Sequence, residues 1–94
     1  MNNVFRLDFD KTVTMLAGYD YGYEVYNEQV KGKIDVYSHF TIVFPDQIKH
    51  IASSFSQGFF KEIAEEIGIV GIEDRLIIIS PNEDLKKQII EDLL

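Results

Sequence analysis

The chain has 94 residues, 46% of them hydrophobic and 13% aromatic, a formal net charge of −7 and no cysteine. That size implies one domain, residues 1–94, with enough apolar content for its own core and too much for a disordered chain. The acidic balance disfavours nucleic acid, the missing thiols exclude disulfides and thiolate metal sites, and no apolar run reaches the ~18 residues of a membrane span. The opening residues, Met1-Asn2-Asn3-Val4-Phe5-Arg6, lack the regions of a signal peptide, so a cytoplasmic protein is expected.

Phe5, Leu7 and Phe9 alternate with Arg6, Asp8 and Asp10, the period of a half-buried strand. A tight turn at Asp10-Lys11 leads to a β-branched stretch, Thr12 to Leu16, and the two strands read as an N-terminal hairpin. Gly18 breaks the second strand. Asp20 is placed to cap a helix running to about Lys31, with Gly32 as its stop. Gly22, Val25, Tyr26 and Val30 share one face of that helix, and glycine inside a helix points to close packing on a neighbour.

Phe40-Thr41-Ile42-Val43-Phe44 is apolar on both faces apart from Thr41, as in a central strand covered on two sides, and Pro45-Asp46 ends it. Ser54-Phe55-Ser56-Gln57 has the form of a capping box. Phe55, Phe59, Ile63 and Ile67 then follow at steps of four, with Phe60 and Ala64 widening the stripe, up to a stop at Gly68. Ile69 to Asp74 reads as a connector, and Leu76-Ile77-Ile78-Ile79 as a second buried strand. Ser80-Pro81-Asn82-Glu83 again fits a capping box, opening a last helix with the stripe Leu85, Ile89, Leu93. The expected order is β-β-α-β-α-β-α: an α/β fold with a four-stranded mixed sheet and helices packed on it.

Three groups carry candidate chemistry. Asp8-Phe9-Asp10-Lys11-Thr12 resembles the Asp-x-Asp-x-Thr motif of haloacid dehalogenase-type phosphatases, which would make Asp8 a nucleophile and Asp10 a general acid beside magnesium. Those enzymes need a larger doubly wound domain and a later acidic pair, so a solvent-facing hairpin is the preferred reading. His39 and His50 have no metal-ligand spacing, and no cofactor is expected. Tyr19, Tyr21, Tyr23, Tyr26 and Tyr37 gather around the first helix, either as a half-buried rim or as an aromatic contact surface.

Ser53, Ser54 and Ser56 pose the main question. Capping accounts for Ser54 with Gln57 but requires neither Ser53 nor Ser56. The alternative is a regulated contact, with a phosphate added at the helix start, where an anion is favoured.

The order of elements and this serine pair resemble a STAS domain, the class of the bacterial anti-sigma-factor antagonists, and more specifically the small bacterial STAS-like domains of unknown function. The resemblance spans about Val4 to Leu93 and is best at Phe40 to Asp46 and Ile51-Ala52-Ser53-Ser54-Phe55. In the antagonists, an Asp-Ser-Ser-Gly or Asp-Ser-Thr-Gly motif is phosphorylated on its second hydroxyl residue, the position of Ser54. Here Ala52 replaces the aspartate and Phe55 the glycine. The resemblance implies a non-enzymatic regulator that binds a protein partner such as a histidine-kinase-like ATPase, while the acidic charge and the lack of a long apolar run argue against nucleic acid and membrane as partners. Contact would run through residues 46–57, with Asp46, His50, Ser53, Ser54 and Ser56 as its candidates. The rival readings are an acidic inhibitor of a nucleic-acid-binding protein and a minimal magnesium-dependent phosphatase using Asp8 and Asp10.

Overall fold

The structure is a computed structural model that describes residues 3–94. Its elements run β1 (Val4–Arg6), β2 (Met15–Leu16), α1 (Tyr19–Val25), a π-helical turn continuing α1 (Tyr26–Val30), β3 (Phe40–Val43), β4 (His50–Ile51), α2 (Ser53–Phe59), α3 (Lys61–Arg75), β5 (Leu76–Ile79) and α4 (Leu85–Leu93). The α/β class agrees with the sequence, but the four-stranded mixed sheet does not form. Instead there is a three-stranded parallel sheet in the order β1-β3-β5 and a separate parallel pair, β2-β4.

The N-terminal hairpin is also corrected. The turn is real: the Asp10 carboxylate accepts from the Thr12 backbone N–H at 2.9 Å and from its hydroxyl at 2.7 Å. Yet β1 pairs in parallel with β3 and β2 with β4, so the turn is a corner between two sheets. β3 takes the inner edge of β1, leaving that edge closed to β2. On the outer edge, the side-chain amide of Gln29 stands in for a strand. It donates to the Asp8 carbonyl and accepts from the Asp8 N–H, both at 2.8 Å.

As predicted, β3 is the central strand and all four of its residues are buried. The strands β1, β3 and β5 step one way across the sheet. Right-handed crossovers then carry the connecting helices to one face. Phe40, Ile42 and Leu76 meet Phe55, Phe59, Phe60, Ile63, Leu85 and Ile89 there in a single core. The other face carries Val4, Thr41, Val43, Ile77 and Ile79, and three of these stay open: Val4 is 39% exposed, Ile77 45% and Ile79 54%. The aliphatic run in β5 therefore does not belong to a strand buried on both faces. Leu76 is buried and Ile78 half-buried, while their neighbours look outward.

The helix starts also differ from expectation. Gly18, in the left-handed region at φ 102°, precedes α1, and Asp20 lies inside it. Ala52 precedes α2, with no side-chain cap, because Ser54 is already in the first turn. The long predicted helix breaks at Phe60 and bends again at Gly68 (φ 71°). Beyond that bend residues 69–75 are helical rather than a connector. Ser80 and Asn82 form a turn, accepting from the N–H groups of Asn82 and Asp84 at 3.1 and 3.0 Å, and α4 begins only at Leu85.

Close packing at Gly22 is borne out. A Cβ there would strike the backbone of Phe55 and Phe59, and one at Gly58 would strike the carbonyl of Tyr19. Helices α1 and α2 thus cross through two glycines, and only hydrogen at both positions admits the contact. The aromatic stripe follows: Phe59 stacks on Phe55 at 5.8 Å, meets Phe60 edge-on at 4.8 Å and Tyr26 at 5.9 Å.

Candidate functional site

The five residues singled out in the sequence do not share one fate. Asp46, His50 and Ser53 are exposed, Ser54 is half-buried, and Ser56 is 1% exposed. Ser56 sits in the core with its hydroxyl unpartnered, beyond reach of anything docking from solvent. The other four lie along one rim where the chain leaves β3, passes through β4 and enters α2.

Ser54 does not cap its own helix. Its hydroxyl accepts from the Gly18 N–H at 2.9 Å, joining the start of α2 to the start of α1. The Ala52 N–H donates to the Leu16 carbonyl at 2.8 Å, so the exits of β2 and β4 are locked side by side. Gln57, the expected second half of a capping box, instead donates to the Asp92 carbonyl at 3.1 Å. Substituting Ser54 by alanine leaves a half-buried N–H without its acceptor. Thermal and urea unfolding of Ser54→Ala are expected to show a loss of about 1–2 kcal/mol.

The rim is held from below by Gln47, a residue the sequence did not flag. Its amide donates to the Asp10 carbonyl at 2.6 Å and to the Val13 carbonyl at 3.0 Å. The Lys49 N–H donates to Thr14 at 2.7 Å, and Ile48 and Ile51 are buried. Asp46, Lys49, His50 and Ser53 are therefore exposed side chains on a fixed backbone. The cleft beside them, lined by Ile48, His50, Ser80, Asn82, Leu85 and Gln88, holds about 40 Å³. That is room for water but not for a metabolite, which needs some 300 Å³ or more.

Asp10 meets the rim through its backbone carbonyl, which accepts from the Gln47 amide. The Asp8 backbone is bound by Gln29, and the Asp10 carboxylate is held below its ordinary range by the Thr12 backbone N–H and hydroxyl. Among the described residues no group of three or more His, Cys, Asp or Glu side chains converges as metal ligands would. The tyrosines do not make one surface either. Tyr26 is buried, burial pushing its hydroxyl pKa up, whereas Tyr19, Tyr21 and Tyr37 are exposed. Tyr37 donates to the Glu66 carboxylate.

A second hollow, open and about 350 Å³, is lined by Tyr26, Lys31, Glu62, Glu65 and Glu66. The hydrogen bond from Lys31 at 3.1 Å lowers the pKa of Glu62 below its ordinary 4.5. A depressed carboxylate stabilises the fold above its unfolded pKa, and that contribution is lost as pH falls through the folded value. Glu62→Gln should therefore flatten the decline in melting temperature below pH 4.5 while the protein stays folded at neutral pH. A wild-type acid limb in the variant would remove Glu62 from that role.

No known protein family, curated protein or solved structure matches the chain. Among the described residues no helix is long and apolar enough to cross a membrane.

Proposed function

We propose that the chain is a non-enzymatic, cytoplasmic protein-interaction domain of STAS-like type that docks a protein partner through residues 46–57. The observation that carries this reading is the fixed rim: Asp46, Lys49, His50 and Ser53 project from a backbone tied down by Gln47 and by the β2-β4 pair. Preorganised polar groups around a shallow surface suit a protein contact, because little entropy is lost in ordering them on binding. The partner class favoured by the resemblance is a histidine-kinase-like ATPase. Ser54 serves as a structural tie in this reading, and phosphorylating it would require the Gly18 contact to open.

The test is a titration of the full chain with such an ATPase. Asp46→Lys and His50→Glu, both at exposed positions, should weaken binding at least tenfold, about 1.4 kcal/mol, with melting temperature unchanged. Binding indifferent to both variants would place the contact elsewhere, and absence of binding would remove this partner class.

A further inference from the structure

The two outer edges of the β1-β3-β5 sheet differ in one respect. On β1 the Gln29 amide occupies both backbone groups of Asp8, whereas β5 has no such plug. The Phe44 N–H donates to the Ile79 carbonyl at 2.9 Å. Successive residues of a strand turn their backbone groups to opposite edges, so Ile77 and Ile79 bond toward β3 and Ile78 faces outward. The Leu76 N–H is taken by the Ile72 carbonyl at the end of α3. The outer edge therefore presents the Leu76 carbonyl, the N–H and carbonyl of Ile78 and the Ser80 N–H, none of them bonded to another group among the described residues. Strand edges are ordinarily guarded by charged side chains, proline or a bulge. Leu76-Ile77-Ile78-Ile79 has no charge and no proline, and its register with β3 is unbroken.

We infer that this edge pairs with the same edge of a second copy of the chain, antiparallel, about a two-fold axis through Ile78. The free groups select that occupant, because they are complementary to themselves. About this axis the Ile78 N–H of each copy meets the Ile78 carbonyl of the other, and the Ser80 N–H meets the Leu76 carbonyl. Every free group is used and none is left over. Neighbouring registers break the match. An axis at Ile77 sets Ser80 against Asp74, which lies in α3. An axis at Ile79 sets Leu76 against Asn82, whose N–H already donates to the Ser80 hydroxyl. The axis at Ile78 also places Ile77, 45% exposed, directly opposite Ile79 of the other copy, 54% exposed, an aliphatic cross-strand pair repeated twice. No charged residue falls between positions 76 and 80, so the paired stretch sets no like charges together. The product is a continuous sheet with three strands from each copy, joined isologously as a closed dimer requires.

The experiment combines sedimentation equilibrium with cross-linking of the full chain. The expected mass at high concentration is twice the 10.9 kDa of one chain. Ile78→Pro removes the outward N–H without touching the bonds to β3, and should give a monomer with the circular dichroism of the wild type. The register is read with thiols, since the chain has no cysteine of its own. Ile77→Cys chains mixed with Ile79→Cys chains should form a disulfide dimer on mild oxidation, because directly opposite residues of this kind lie about 4.5 Å apart between Cα atoms. Either variant alone should cross-link far less, its two thiols being diagonal and about 7–8 Å apart. Three outcomes overturn the inference: a wild-type chain that stays monomeric at about 1 mM, a dimer that survives Ile78→Pro, and cross-linking no stronger in the mixture than in the separate variants. Should Ile78→Pro misfold, the wild-type mass and the thiol mixture decide alone, since Ile77 and Ile79 are both exposed.

Discussion

Gly58→Ala is expected to lower the unfolding free energy by about 3 kcal/mol, the upper end of the cost of overpacking. On helix propensity alone the change would help by about 1 kcal/mol, because alanine replaces glycine within α2. Sterics win because the new methyl meets backbone, the Tyr19 carbonyl, rather than the tip of a side chain that could swing aside. The helices must part, and parting them opens the aromatic core beneath. Gly22→Ala strikes the same crossing from the other side, against Phe55 and Phe59, and should cost a similar amount. Because both substitutions demand the same separation of α1 and α2, the double variant should lose clearly less than the sum of the two. Urea unfolding of the three variants is the measurement. A Gly58→Ala chain as stable as wild type would mean that the crossing is looser than the structure has it.

Phe59→Ala should cost about 4 kcal/mol, the middle of the range for removing a buried phenyl ring. Phe59 is fully buried and touches three other aromatic rings, so the walls of the cavity cannot simply fall in. A domain of this size has only some 5–15 kcal/mol of stability, so the variant should be partly unfolded near 37 °C. Phe59→Leu fills most of the space and should recover much of the loss. Melting followed by near-ultraviolet circular dichroism would check both. A loss under about 1 kcal/mol for Phe59→Ala would show that the ring contributes little to the core.

Both predictions bear on the rim. The Gly22–Gly58 crossing sets where α2 begins, and the Ser54–Gly18 bond closes the gap between the two helix starts. Loosening the crossing should therefore disturb the posture of Ser53 and His50 although neither is changed. The rim is a product of packing some distance from it.

What could be read from the sequence follows from local periodicity. The step-of-four stripe Phe55, Phe59, Ile63 has its basis in the 3.6-residue helical turn, and all three are buried. The apolar run Phe40 to Val43 is the central strand for a similarly local reason, since no polar side chain but Thr41 has to be satisfied. Gly22 was legible as a close approach because glycine within a helix is costly without one. Ser54 was legible as a structural residue, but its partner was not. The capping box is a local motif, and the actual donor, Gly18, lies 36 positions away.

The sequence by itself determined the α/β class, the buried aromatic stripe, the central strand and the turn at Asp10, because each depends on residues within a few positions of one another. Only the tertiary structure decided strand pairing. It split the strands into two parallel sheets, turned the expected hairpin into a corner, and left Ile77 and Ile79 facing outward, because pairing depends on which edges remain free after the chain has crossed over. It also divided the serines: Ser53 to solvent, Ser54 to Gly18, Ser56 to the core. Three hydroxyls within four residues look alike along the chain. The direction each takes is set by where the helix starts and what it packs against.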